Sequence, residues 1–252
     1  MARIHFLDVP VDVLTMDETL ARARIAMRDG PAIRHVALNV AKLVKLRSDP
    51  DLARDVAESD IVGIDGMGIS WALRLFGEAQ AVRVPGVELM EELMALCARE
   101  GFRPFVLGAR QDILDRALDI ARQRYPGLTF AGSRNGYFTT ADEADIVAQI
   151  RASKADCLFV AMPTPRKERF LASHAGNLGV PFIMGVGGSI DVMAGHVSRA
   201  PVWMQQVGLE WLHRLIKEPR KMAWRYISTN TLFLLMILRL LFTFTNPVRR
   251  AG

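Results

Sequence analysis

An α/β fold, a parallel sheet with helices on both faces, is predicted by two features of this 252-residue sequence. Short β-rich apolar runs bounded by turn residues alternate with segments whose apolar residues recur at i, i+3 and i+4. Helix-start signals also fall between those runs, and repeated β-then-α units of this kind imply a Rossmann-like, mainly parallel sheet. In chain order, Thr15-Met-Asp-Glu18 is a capping-box pattern opening the helix LARARIAM. The runs HVALNV, DIVGID and RPFVLG follow as strands, separated by helical patterns. Tyr125-Pro126-Gly127 breaks the chain before LTFAGS, and Thr140-Ala-Asp-Glu143 is a second capping-box pattern, before ADIVAQI. DCLFVAM is the next strand, with a helix beginning at Pro165-Arg166-Lys167-Glu168, and PFIMGVG is the last.

After Pro201 the pattern changes, so residues 1–200 read as the α/β unit and 201–252 as a basic, amphipathic helical appendage. MQQVGLEWLHRLIKEP reads as an amphipathic helix ending near Pro219, and RKMAWRYISTN continues as a basic, Trp- and Tyr-bearing segment. Residues 231–244, TLFLLMILRLLFTF, carry one charge, Arg239, over fourteen residues. That is short of the roughly 20 needed to span a bilayer. Burial as a core helix would explain it; Trp224 and Tyr226 before it and Arg249 and Arg250 after it favour an interfacial helix.

Charge supports that division. From Arg199 onward nine Lys/Arg stand against Glu210 and Glu218, a balance of +7, whereas the first 198 residues hold 23 basic and 25 acidic residues, a balance of −2. Such a tail should meet an anionic partner: a membrane surface, a phosphorylated ligand or nucleic acid. Nucleic acid is disfavoured, because the basic stretch adjoins an apolar helix rather than an aromatic reading surface. The apolar tail also offers a surface for homo-oligomers. Half the residues are hydrophobic, which excludes a disordered chain and allows a substantial core. The N-terminus MARIHFLDVPVD is too charged for a signal peptide, so a cytoplasmic-side location is expected. Cys97 and Cys157 read as buried, inert thiols, and the scattered histidines offer no metal site.

Ligands of open parallel sheets bind at the carboxyl ends of strands. Asp65 closes the run DIVGID there, flanked by Gly63, Gly66 and Gly68, which permit tight turning and close approach of a ligand. A helix N-cap would explain Asp65 equally well, and the same alternative applies to Asn39 at the end of HVALNV. Gly185-Val-Gly187-Gly188-Ser189 follows a strand and could cradle a phosphate with its amides, although it lacks the full dinucleotide fingerprint. Asp191 and Arg199 are candidate ligand contacts or a local ion pair. Lys167 brings positive charge to a strand end where an anionic substrate would lie, or to solvated surface.

Several motifs together resemble one family. V-A-L-N, D-I-V-G-I-D-G-M-G, R-V-P-G-V-E-L, F-V-L-G, Y-P-G-L, N-G-Y-F, P-T-P-R-K-E, G-V-G-G-S-I-D-V-M-A-G-H-V-S-R-A-P and G-L-E-W-L-H-R-L-I-K-E-P-R-K occur in the order found in the TagA/WecG/CpsF glycosyltransferases. The resemblance runs from about Val9 to Tyr226. It implies a Rossmann-like domain with a C-terminal membrane-targeting appendage at the cytoplasmic face of the bacterial inner membrane. The implied activity is inverting, metal-independent transfer from a UDP-sugar (UDP-hexose, UDP-N-acetylmannosamine or UDP-uronate) to an undecaprenyl-diphosphate-linked saccharide, with no cofactor.

By the same resemblance Asp65 is the catalytic base, Asn39 an active-site asparagine and Arg83 a substrate-binding arginine. Arg214, Arg220 and Arg225 would contact the donor diphosphate, where guanidinium groups suit bidentate binding, and Gly187, Gly188 and Asp191 would complete a nucleotide pocket. The sequence departs from the family's usual pattern at Ala37, where a threonine is usual, at Glu88 in place of Asp, and at Lys167 in place of Gln. These departures bear on sugar identity rather than reaction type. A non-enzymatic assembly factor would explain the tail but not the strand-end residues; a nucleotide-dependent oxidoreductase would leave the tail unexplained.

Overall fold

The computed structural model describes residues 3–250, apart from residue 218 and the side chains of residues 214, 220–223 and 225. The chain runs β1 (Arg3–Phe6), β2 (Val9–Asp12), α1 (Met16–Arg28), β3 (Ile33–Leu38), α2 (Val40–Leu46), α3 (Pro50–Ala57), β4 (Ile61–Ile64), α4 (Met67–Leu75) and α5 (Gly86–Glu100). It continues through β5 (Pro104–Gly108), α6 (Gln111–Arg124), β6 (Gly132–Arg134), a 3₁₀ turn (Thr140–Asp142), α7 (Glu143–Ser153), β7 (Cys157–Ala161), α8 (Arg166–Leu178), β8 (Phe182–Gly185) and α9 (Ser189–Met193). The last elements are α10 (Val202–Gln206), α11 (Glu210–Lys217), α12 (Pro219–Phe242) and β9 (Val248–Arg250).

The strands form one sheet in the order β6-β5-β7-β8-β3-β4-β2-β1-β9. From β6 to β2 every neighbouring pair is parallel, as the alternating pattern requires. Side chains of β7 alternate between two layers: Cys157, Phe159 and Ala161 join the core under α5 and α6, while Leu158 and Val160 join the opposite core under α7 and α8. A third cluster lies at the β1–β4 end, under α2, α3 and α4.

The capping box at Thr15 forms as expected: Thr15 N–H donates to Glu18 at 2.8 Å and Glu18 N–H to the Thr15 hydroxyl at 3.2 Å. The second box forms one residue earlier than expected, between Thr139 and Asp142, because a 3₁₀ turn precedes α7. Tyr125 ends α6, with Gly127 in the left-handed region at φ +92°.

The N-terminal segment differs from the sequence reading by forming a hairpin. Leu7 and Asp8, at φ +52° and +65°, make a two-residue turn between β1 and β2. Positive φ at both central residues is what a twisted antiparallel hairpin needs. The C-terminal segment also differs. The helix expected to end near Pro219 is two short helices, α10 and α11, and Pro219 instead opens α12. Proline fits there because the first helical residue has no intrahelical acceptor for its N–H. One 24-residue helix therefore joins the basic segment to the apolar run. It packs on α2 through Phe233, Ile237 and Leu240, and β9 then pairs with β1. Among the described residues no helix is long and apolar enough to cross a membrane.

Candidate active site

The carboxyl ends of β3 and β4 lie side by side, with Leu38 opposite Ile64, and so bring Asn39 and Asp65 together. Asn39 caps α2, its Oδ1 accepting from the Lys42 amide at 3.0 Å, and its Nδ2 lies 3.4 Å from Asp65 Oδ2. Asp65 does not cap the helix that follows it; that position belongs to Gly66, which has no side chain to offer. Asp65 Oδ1 instead accepts from the amide of Gly86, the first residue of α5, at 2.8 Å. A carboxylate at a helix amino terminus is favoured by the dipole and by an amide with no acceptor of its own. One carboxylate oxygen is thus firmly anchored and the other weakly held.

The glycines around Asp65 make room for protein. A side chain at Gly63 would meet the His35 ring at 2.7 Å, at Gly66 the Asn39 Cβ at 3.0 Å, and at Gly68 Val40 Cγ2 at 2.7 Å. At Gly66 and Gly68 that smallness lets α2 and α4 begin in contact, and at Gly63 it admits the His35 ring between β3 and β4.

Arg83 joins the same site. Its Nε donates to the Asp65 carbonyl at 2.7 Å, Nη1 lies 3.4 Å from the Gln205 carbonyl, and Nη2 pairs with Glu210. Arg199 pairs with Glu88 in the first turn of α5, and its Nε lies 3.9 Å from Glu210.

Behind Asn39 sits an ion cluster that sequence reasoning missed. Lys42 and Lys167 both place Nζ 2.8 Å from Glu168 Oε1, and Lys167 also donates to the Thr164 hydroxyl at 2.7 Å. Lys42 is 7% exposed, Lys167 6% and Glu168 2%. Lys167 is therefore neither solvated nor an isolated strand-end charge. Burial, reinforced by the Lys42 ammonium, lowers the Lys167 pKa to about 8 despite Glu168. Burial works to raise the Glu168 pKa, but two ammonium groups outweigh it and hold the carboxyl at about 2. The two values fall for different reasons: burial disfavours the Lys167 ammonium, whereas two cations sharing one carboxylate favour the Glu168 anion. Lys42 gave one sequence signal, its place one turn into the helix that Asn39 caps; Glu168 gave only its adjacency to Lys167.

Gly187 and Gly188 lie in the turn after β8, and Asp191 lies in α9. The Val186 and Gly187 amides donate to the Val160 carbonyl at 3.0 and 3.3 Å, and Ser189 N–H to the Val186 carbonyl at 3.1 Å, so much of this turn is satisfied internally. The Asp191 carbonyl accepts from His196 and Val197, and its charge acts on Arg110 beside β5. No described hydrogen bond or ion pair joins Asp191 to Asp65, Asn39 or Arg83. The backbones of Arg214, Arg220 and Arg225 lie in α11 and α12; their side chains lie outside the described residues.

The model of the Glycosyl transferase WecG/TagA/CpsF family matches residues 4–247, nearly the whole chain, β1 and most of the C-terminal segment included. The chain belongs to this family. In this WecG/TagA/CpsF glycosyltransferase, the strand-end cluster of Asn39, Asp65 and Arg83 brings together a carboxylate, an amide and a guanidinium. The family acts in cell-surface polysaccharide synthesis.

Proposed function

We propose that this glycosyltransferase moves a sugar from a UDP-sugar onto an undecaprenyl-diphosphate-linked saccharide in a single inverting displacement. The observation that carries the reading is the Asp65 carboxylate, one oxygen anchored by Gly86 N–H and the other held only at 3.4 Å by Asn39, at the end of a parallel strand. Asp65 Oδ2 takes the proton of the acceptor hydroxyl as that oxygen attacks the anomeric carbon. The bond from that carbon to the diphosphate breaks, and its electron pair leaves on UDP. Stabilising the departing diphosphate falls to the arginines of α11 and α12, Arg214, Arg220 and Arg225, a role for fixed cations in transition-state stabilisation. Asn39 orients Asp65, while Lys167, with Gly187, Gly188, Asp191, Arg83 and Arg199, borders the donor.

The acceptor's lipid sits in a bilayer, and α12 supports docking there. Besides its inward face it has an outward apolar face: Trp224 is 79% and Phe242 81% exposed, with Ile227, Leu234, Leu235 and Leu238 between them and Arg239 among them. An apolar face with basic residues suits the headgroup region of an anionic, cytoplasm-facing membrane. The test is incubation with a panel of UDP-sugars and polyprenyl-diphosphate-linked mono- and disaccharides, reading products by mass. One donor should add a single glycosyl unit to a lipid-linked acceptor; hydrolysis of donors with no acceptor product from any pair would refute the reading.

A further inference from the structure

The C-terminal segment meets the site through a closed ring of polar contacts. Arg83 Nε holds the Asp65 carbonyl at 2.7 Å, and Arg83 Nη2 pairs with Glu210, the first residue of α11. Glu210 lies 3.9 Å from Arg199, which pairs with Glu88 in the first turn of α5. The first amide of that same helix, Gly86 N–H, binds Asp65 Oδ1 at 2.8 Å and closes the ring. Glu210 and Arg83 are each about 15% exposed at the side chain, so the pair is shielded from water and less screened than a surface ion pair. A second contact seats the segment: a side chain at Gly208, φ +73°, would come within 2.7 Å of Met67 and 3.1 Å of Trp71 in α4.

We propose that Glu210 is a positioning residue that makes the orientation of the Asp65 carboxylate depend on the seating of α10 and α11. It pairs with Arg83 and lies 3.9 Å from Arg199, whose close partner is Glu88, so its charge stands between two arginines that hold the two sides of Asp65: Arg83 its carbonyl, Arg199 the helix whose first amide fixes its carboxylate. Without Glu210, Arg83 and Arg199 repel and the start of α5 loosens. This inference rests on the reading of Asp65 as base, because displacement of a reacting group by about 1 Å can cost on the order of a hundredfold in rate.

Gly86 N–H has no acceptor within its helix, so its hydrogen exchange reports the bond to Asp65 independently of any activity. Two variants, Glu210→Ala and the near-isosteric Glu210→Gln, are compared with wild type by thermal unfolding, by exchange at Gly86 and by steady-state transfer. Expected are faster Gly86 exchange and a roughly ten- to hundredfold fall in kcat with KM within about twofold for Glu210→Ala, and a smaller change in both for Glu210→Gln, which keeps an acceptor for Arg83. Unchanged Gly86 exchange in both variants, or a loss confined to KM, would overturn the proposal. Absence of sugar transfer by the wild-type protein would sink the functional reading alone, since the exchange measurement still decides the ring.

Discussion

At Asp65 the sequence could not separate a helix cap from a catalytic base, and the helix it meets is not the one that follows it. The carboxylate meets the amino terminus of α5, twenty-one residues on, and keeps its second oxygen loosely held. That Asn39 and Asp65 each close a strand was legible, because strand ends follow from the apolar pattern; that the two strands are neighbours comes from the sheet order. The Lys42–Glu168–Lys167 cluster was not, since only the pairing of distant helices puts two cations on one carboxylate. Glu168→Gln leaves two buried ammonium groups without a counter-charge and is expected to cost about 3–5 kcal/mol in urea unfolding at pH 7. Lys167→Met leaves a balanced Lys42–Glu168 pair and is expected to be neutral or stabilising, with the KM for donor as the readout of substrate contact. His35 gives a pH test. Burial, helped by Lys42, lowers its pKa from 6.5 to about 4, so as pH falls the unfolded chain takes up the proton first. Stability present above pH 6.5 should then be lost toward pH 4 at about 1.4 kcal/mol per pH unit from this group. In His35→Gln the slope of unfolding free energy against pH should flatten by about that amount; an unchanged slope would contradict it.

Among elements, strands and helices with a clear period were readable and those built by tertiary pairing were not. β1 and β2 are four residues each, and β2 contains Pro10; β9 is three residues, two of them arginine. The alternation of β1, Arg3-Ile4-His5-Phe6, lasts only four residues and β2 and β9 show none, and they exist because β1 bridges β2 and β9 at the sheet edge. The apolar run 231–244 was ambiguous between core and interface, and α12 shows why: its Phe233, Ile237 and Leu240 serve the core while Leu234, Leu235 and Leu238 face outward. Both faces are apolar, so periodicity could not choose. Truncating the helix would therefore remove core as well as surface. The cleaner variant changes Leu234, Leu235, Leu238 and Phe242 to Ser. It should keep its fold by circular dichroism and lose sedimentation with vesicles containing anionic lipid, while equal binding of both proteins would argue against α12 as the docking face.

For the molecule as a whole, the parallel sheet places every strand-end candidate on one rim, while the C-terminal segment reaches that rim through Glu210 and the far sheet edge through β9. The charge asymmetry seen in the sequence thus belongs to a segment packed against the site rather than trailing from it. On the proposed function, one side of the protein faces a lipid-linked acceptor while the rim holds the donor. Asp65→Asn keeps size and an acceptor for Gly86 N–H at the centre of this arrangement while removing the base. The account predicts that, with saturating donor and lipid-linked acceptor, this variant loses about a hundred- to ten-thousandfold in kcat while UDP binding by calorimetry stays within a few-fold of wild type. Turnover near the wild-type rate would contradict it.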